Sequence, residues 1–337
     1  MGSVIRAGIT RLLRVGILFV AAWNLAACKE NSTVVIYTSV DRHFAEPILQ
    51  AFEDETGIKV EALYDVEAAK TTGLVNKLIA ESDRPRADVF WNGEFLQTQL
   101  LAQRGLLTAY ATDGQQDQQH LWTAFGGRAR VLIVNTTTLP QDQWPDSLAD
   151  FLADRWPGNQ MAIAHPLFGT SATHAAALYA AWGDAHAADF YRSAQARGVR
   201  IVDGNSVVRD LAVKGEIMFG LTDTDDACSA LENGEEVAVV FPDQSDGAIG
   251  TLVIPNTVAM IAGAPHPENG KLFVDYLLGE NIALELAEAG WFHVNGTDVL
   301  TASCNLPDQI TVMQVDTAAL YEALARIKLE LRDILVR

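Results

Sequence analysis

One apolar run, residues 217–221, ends in Thr222, Asp223, Thr224, Asp225 and Asp226. Carboxylates packed this closely repel, so they need a cation, a network of donors or open water. A strand tip opening into such a cluster is where α/β proteins place ligands. The same residues suit a helix start, where Asp caps free N–H groups and meets the positive end of the dipole. A second pattern, Gly169-Thr170-Ser171-Ala172, precedes an apolar helical run. Free N–H groups at a helix start bind phosphate or carboxylate, and the Thr170 and Ser171 hydroxyls add donors. A simple Ser/Thr N-cap explains this pattern equally well. Further along the chain, Asn205 opens another helix.

Two further carboxylates, Asp41 and Glu94, follow apolar strands. Carboxylates with few nitrogens suit a hard cation such as ferric iron, or an ammonium group. Asp41 and Glu94, with Asp223, Asp225 and Asp226, are therefore the candidates to hold a metal or the positive part of a ligand, although Asp41 and Glu94 also suit surface helix starts. Several enzyme signatures are missing: His-Glu-x-x-His, Gly-x-Ser-x-Gly, Gly-x-Gly-x-x-Gly and the phosphate loop. Asp223-x-Asp225 begins like a calcium loop, but Cys228 and Gly234 stand where its Gly and Glu belong. His165, His174 and His293 lack zinc spacing and read as structural. A metal-assisted hydrolase using the aspartates is the enzyme alternative, with no base–nucleophile pair to support it.

The elements that must position these residues alternate. Strands are expected at 34–39, 58–64, 87–91, 128–135, 160–164, 199–202, 217–221 and 237–241, with helices between most of them. That order implies right-handed crossovers and mainly parallel sheets. The polar stretch 136–146 is read as the first crossing between two lobes. The apolar run 250–262, with Pro255 inside it, is read as strand, bend, strand and as the second crossing. Helices at 267–278, 281–289 and 317–335 are expected to return to the first lobe, the last with a stripe of Leu320, Leu324, Ile327, Leu331 and Ile334.

The 337 residues are 49% hydrophobic, enough for two lobes. The net charge of −19 argues against nucleic acid or an anionic membrane surface as partner, without excluding one positive pocket. Residues 1–28 read as a targeting segment, with Arg6, Arg11 and Arg14 ahead of a short apolar core. Leu25-Ala26-Ala27-Cys28 resembles a lipobox, so Cys28 is expected to carry lipid. Cys228 and Cys304 would then remain, paired in an oxidising compartment or, the preferred reading, buried and free.

On these residues the chain resembles the periplasmic solute-binding proteins of bacterial ABC importers, and among them the ferric-ion-binding branch. The resemblance lies in Val35-Ile36-Tyr37-Thr38-Ser39, residues 51–60, Ala87-Asp88-Val89-Phe90-Trp91, Gly215-Glu216 before Gly220-Leu221-Thr222, residues 254–259 and residues 263–267. It implies two α/β lobes, 33–130 with 260–337 and 131–259, each with a mainly parallel sheet flanked by helices. A two-strand hinge joins them, and they close on a ligand. It implies a monomer in the periplasm, held to a membrane only by lipid, delivering its ligand to a permease in the inner membrane. It also implies ligand positions: Asp41 where ferric binders use a histidine, Glu94 near their glutamate, and Asp225 and Asp226 where they use adjacent tyrosines. This chain has no adjacent tyrosine pair. Thr170, Ser171 and Ala172 with Asn205 correspond to the anion-holding loop. Asp223 is expected to join the carboxylates that hold the positive part of the ligand or a metal, and Thr222 to contact the ligand beside it. The ligand so implied is ferric iron with a phosphate- or carbonate-like anion, or else an aminoalkylphosphonate or another phosphorylated solute.

Overall fold

In a computed structural model of the chain, the described residues are 32–65, 72–288, 291, 293–295, 298–300 and 309–335. The targeting segment, Cys28, His293 and Cys304 lie outside them or have side chains that do. Among the described residues no helix is long and apolar enough to cross a membrane.

In the first run, the β-branched and aromatic segments of the inner strands are largely buried on both faces, as parallel sheets require, while the edge strand alternates exposed and half-buried residues. β1 (Thr33–Thr38) pairs in parallel with β2 (Lys59–Tyr64) and β3 (Val89–Asn92). Helices α1 (Arg42–Thr56), α2 (Thr72–Ala80) and α3 (Leu96–Gln103) make the crossovers. Gly57 closes α1 in the left-handed conformation at φ 69°, its N–H returning to Glu53 O at 2.9 Å. Two short strands, β4 (Leu107–Thr108) and β5 (Gln115–Gln116), trim the edge.

The second run comprises β7 (Met161–Ala164), β8 (Arg200–Val202), β9 (Phe219–Asp223) and β10 (Val237–Val240). Helices α4 (Gly169–Trp182), α5 (Asp184–Ala196), α6 (Asn205–Val213) and α7 (Thr224–Glu232) accompany it. α4 is alanine-rich and buried nearly all round, as a central helix must be.

Two long strands join the runs: β6 (Thr123–Asn135) and β11 (Val253–Ile261). The strand path is β2-β1-β3-β11-β6-β9-β7-β8, with β10 also on β6. β6 pairs with β11 through Ala129 and with β9 from Arg130 onward, both antiparallel. The chain thus passes between the runs inside β6 and not in segment 136–146. The turn-rich composition of that segment reflects the exit from β6 instead. β11 runs through Pro255 without breaking. A register shift between Pro255 and Asn256, opposite Gly126, absorbs the missing N–H.

Helices α8 (Pro267–Leu277) and α9 (Glu280–Glu288) pack on the first run, as expected. The final helix, α10 (Thr317–Leu335), touches α3 of that run but packs chiefly on the second. Its stripe of Leu320, Leu324, Ile327, Leu331 and Ile334 joins the core of α4 and α5. Amphipathicity fixes that a face is buried but not which neighbour covers it. Cys228, in α7, is disulfide-bonded, which corrects the reading of a free thiol. Its partner is outside the described residues.

Candidate functional site

A cleft of about 460 Å³, part of it open to solvent, lies between the two runs where β6 changes partners. Ser39, Gly93, Glu94 and Arg128 line one side. The opposite side comes from the ends of β7, β8 and β9 and the starts of α4 and α6. Strand ends meeting helix starts is the arrangement in which α/β folds bind ligands.

Thr222 and Asp223 are the last residues of β9, and Asp225 and Asp226 fall in the first turn of α7. Both readings of this cluster hold together: it starts a helix and it borders the cleft. Asp223 stands at the N-cap but makes no cap bond, because its carboxylate is engaged elsewhere. It accepts from Thr170 Oγ1 at 2.6 Å, Asn205 Nδ2 at 2.9 Å and Arg130 Nη1 at 2.5 Å.

Two arginines that the sequence reading absorbed into an apolar strand dominate the electrostatics. Arg128 and Arg130 sit two apart on β6, so both point to one face of the sheet. Arg130 is 1% exposed and also reaches Asn205 Oδ1 (2.9 Å), Thr170 Oγ1 (3.4 Å) and Ser171 Oγ (3.4 Å). Arg128 is 5% exposed and donates to Asp225 Oδ2 at 3.1 Å and to the Gly93 carbonyl at 2.5 Å. Its Cζ lies 5.5 Å from the Trp291 ring centroid. A third guanidinium, Arg209 on α6, meets Asp226 at 3.2 Å. The three aspartates offer oxygens within 4.8 Å of one another, the spacing of a cation site. Each of them already holds an arginine.

The pKa directions follow. Burial opposes the charge of Arg128, but Asp225, Asp223 and Asp41 outweigh it and drive its pKa up. Burial would raise Asp223, yet Arg130 and Arg128 hold it below the usual range. Asp225 is pushed up, by burial first and then by Asp223 and Asp41, against the pull of Arg128. Glu94 is pushed up by burial, against the bonds it accepts. His174 on α4, 2% exposed, is pushed down to about 3 by burial and by Arg130.

Of the ten expected ligand residues, Glu94, Thr170, Ser171, Asn205, Asp223 and Asp226 line the cleft. The other four do not. Ala172 is a full turn into the helix: its N–H bonds to Phe168 O at 3.0 Å and its methyl joins the core. Thr222 is fully buried and donates to Asn205 O at 3.1 Å. Asp225 is 1% exposed behind Arg128. Asp41 sets the backbone N-cap of α1, half-buried, within electrostatic reach of Arg128 and Arg209. Glu94 lines the cleft but is spent on structure. It accepts from the N–H groups of Leu96 and Gln97 at the start of α3, and from Thr173 Oγ1 of α4 at 3.0 Å. His165, read as structural, and Asp203, not singled out, also line the cleft, as does Ser39 at the polar end of β1. Ser39 donates to Asn92 and accepts from the Gly93 N–H, which fixes the turn under Arg128.

A missed signal was present in the sequence. Two arginines at i and i+2 in Gly126-Gly127-Arg128-Ala129-Arg130, just ahead of an apolar run, mark one charged face of a strand that is otherwise buried.

The arrangement can hold an anion. Arg128 faces the cleft, Thr170 and Ser171 present hydroxyls, and the first N–H groups of α4 have no partner within the helix. Gly169 starts that helix at φ 51°, a conformation open to glycine.

Residues 33–292 match the family described as bacterial extracellular solute-binding protein. A relative from Salmonella paratyphi A, named "Putative 2-aminoethylphosphonate-binding periplasmic protein", is 25% identical over 83% of this chain and 84% of its own length. The major ferric iron-binding protein of Neisseria meningitidis serogroup B is 26% identical over 76% of this chain and 79% of its own. Among solved structures, iron-bound HitA from Pseudomonas aeruginosa superposes with a TM-score of 0.78 at 22% identity, covering 90% of this chain and 99% of that one. The two-lobed α/β architecture is therefore that of the solved periplasmic binding proteins. This chain belongs to the family of bacterial extracellular solute-binding proteins.

Proposed function

We propose that this protein captures an organic solute bearing a phosphonate or phosphate group and delivers it to an ABC permease. The observation that carries the reading is Arg128, a buried guanidinium on the cleft floor beside the hydroxyl-bearing start of α4. A fork-shaped donor and a helix start recognise a tetrahedral oxyanion by geometry as well as charge. The relative named for 2-aminoethylphosphonate makes that zwitterion the first ligand to try. Its two ends match a cleft with guanidinium on one part and carboxylate on another.

Closure supplies the mechanism. β6 and β11 are the connections about which the lobes turn, and the cleft walls come from both sides of them. A ligand touching both walls stabilises the closed form by the contacts it makes only there. The protein binds and releases its solute unchanged. It works in the periplasm as a monomer, held to a membrane by lipid on Cys28. Incorporation of labelled fatty acid, lost in Cys28→Ala, tests the anchor.

Ferric iron with an anion is the second reading, favoured by the three carboxylates within 4.8 Å and by the iron-binding relative. It is the weaker, because iron would have to displace guanidinium groups from Asp223, Asp225 and Asp226, and no tyrosine pair is present to hold it. A thermal-shift panel separates the two. At a hundredfold excess over Kd a ligand adds about 2.7 kcal/mol of stability. Phosphonates or phosphate monoesters are expected to raise Tm, and ferric citrate is not. A rise with ferric citrate alone would reverse the order.

A further inference from the structure

We infer that the cleft holds an ammonium subsite on a ledge made by Asp203, Phe168 and His165, separate from the aspartates that the arginines occupy. The inference rests on the phosphonate reading above and says where the positive end of that ligand goes.

Commitment of the other carboxylates leads there. Asp223 is taken by Arg130, Thr170 and Asn205. Asp226 is paired with Arg209. Glu94 is filled by two backbone N–H groups and Thr173. Asp203 is the carboxylate that remains in the lining. It is exposed, and among the described residues no hydrogen bond or ion pair reaches its side chain.

Topology brings its neighbours. β7 and β8 are adjacent and parallel, so the residues after them, His165 and Asp203, emerge side by side. The His165 N–H bonds to Val202 O at 2.8 Å and ties the two ends together. Phe168 follows a short turn, its ring centroid 5.6 Å from that of His165. His165 is half-buried, and its Nδ1 is shielded with no partner among the described residues. Burial lowers its pKa against the pull of Asp203, which favours the neutral ring with one nitrogen as acceptor. A carboxylate, a ring acceptor and an aromatic face together favour an alkylammonium. A phosphonate placed on the ledge would be repelled by Asp203. The cleft therefore orients a zwitterion, with its anion on Arg128, Thr170 and Ser171 and its ammonium on the ledge.

Calorimetric titration of the full chain and of Asp203→Asn with 2-aminoethylphosphonate and with ethylphosphonate, which lacks the amine, tests this. The wild type is expected to prefer the amine by about tenfold or more, the scale of one charge-assisted contact. Asp203→Asn, with Tm unchanged because the side chain is exposed, should lose that preference and bind ethylphosphonate within about twofold of wild type. A preference that survives in Asp203→Asn overturns the subsite. So does a wild type that binds both ligands equally, and in that case the phosphonate reading stands. Failure of the wild type to bind either ligand overturns the phosphonate reading, and the subsite with it.

Discussion

Gly93 shows how tightly the floor of the cleft is drawn. A Cβ at this position would lie 2.6 Å from Arg128 Nη2, the atom that donates to the Gly93 carbonyl. The backbone there is fixed by Ser39, so the guanidinium must move. Gly93→Ala is expected to weaken 2-aminoethylphosphonate binding by about tenfold, since overpacking of this kind costs roughly 1–3 kcal/mol. Calorimetry on the folded variant checks it, and unchanged affinity would mean that Arg128 is not held as described. His174 gives a second test at this scale. Its pKa is about 3 in the fold against 6.5 ordinarily. Below pH 6.5 the unfolded chain takes a proton that the folded chain refuses until about 3. Stability is thus lost as pH falls through that window, by about 1.4 kcal/mol per pH unit. Asp225 and Glu94, whose pKa values are raised, oppose the trend, while Asp223 adds to it. His174→Gln should flatten the acid limb by that slope in urea titrations between pH 6 and 4. Much of this scale was legible beforehand. Thr170, Ser171, Asn205 and Asp223 announce themselves as polar strand ends and helix starts. What neutralises the aspartates does not, because Arg128 and Asp225 are brought together across 97 positions of chain. Local pattern carries no such information.

At the scale of elements, the start of α3 and helix α4 are stitched across the cleft by Glu94 and Thr173. One element belongs to each run of strands, so this bond forms only when the walls are near each other. Thr173→Val removes the donor and leaves Glu94 its two backbone N–H groups. One hydrogen bond to a charged group contributes about 1.5–3 kcal/mol. The variant is expected to sample wider spin-label distances across the cleft without ligand, and to release ligand faster. An unchanged distance distribution would deny the bond a part in closure. Strand and helix order was readable from periodicity, including α6 over Asn205–Val213. The tip of β9 was placed two residues early, because Thr222 and Asp223 read as loop where β6 in fact extends the ladder to Asp223. The seat of α10 was not readable, since any apolar groove of the right width satisfies its stripe.

For the whole molecule the central contrast is between a net charge of −19 and a cleft floored by arginine. Total charge describes the solvated surface, while selectivity follows from a few desolvated groups. The two-lobed plan could be drawn from the sequence because its repeated strand–helix order leaves few topologies. The pairing of Asp223, Asp225 and Asp226 with arginines could not, because the three look like a cation trap until their partners are placed. The most direct measurement is calorimetric titration of 2-aminoethylphosphonate into wild type and into Arg128→Gln combined with Asp225→Asn. That pair keeps the buried charge balanced and a hydrogen bond possible, so the fold survives. The account predicts binding by wild type and a loss of about a hundredfold or more in the double variant, as expected for a desolvated charge pair at an anion. Equal affinity in the two proteins would contradict it.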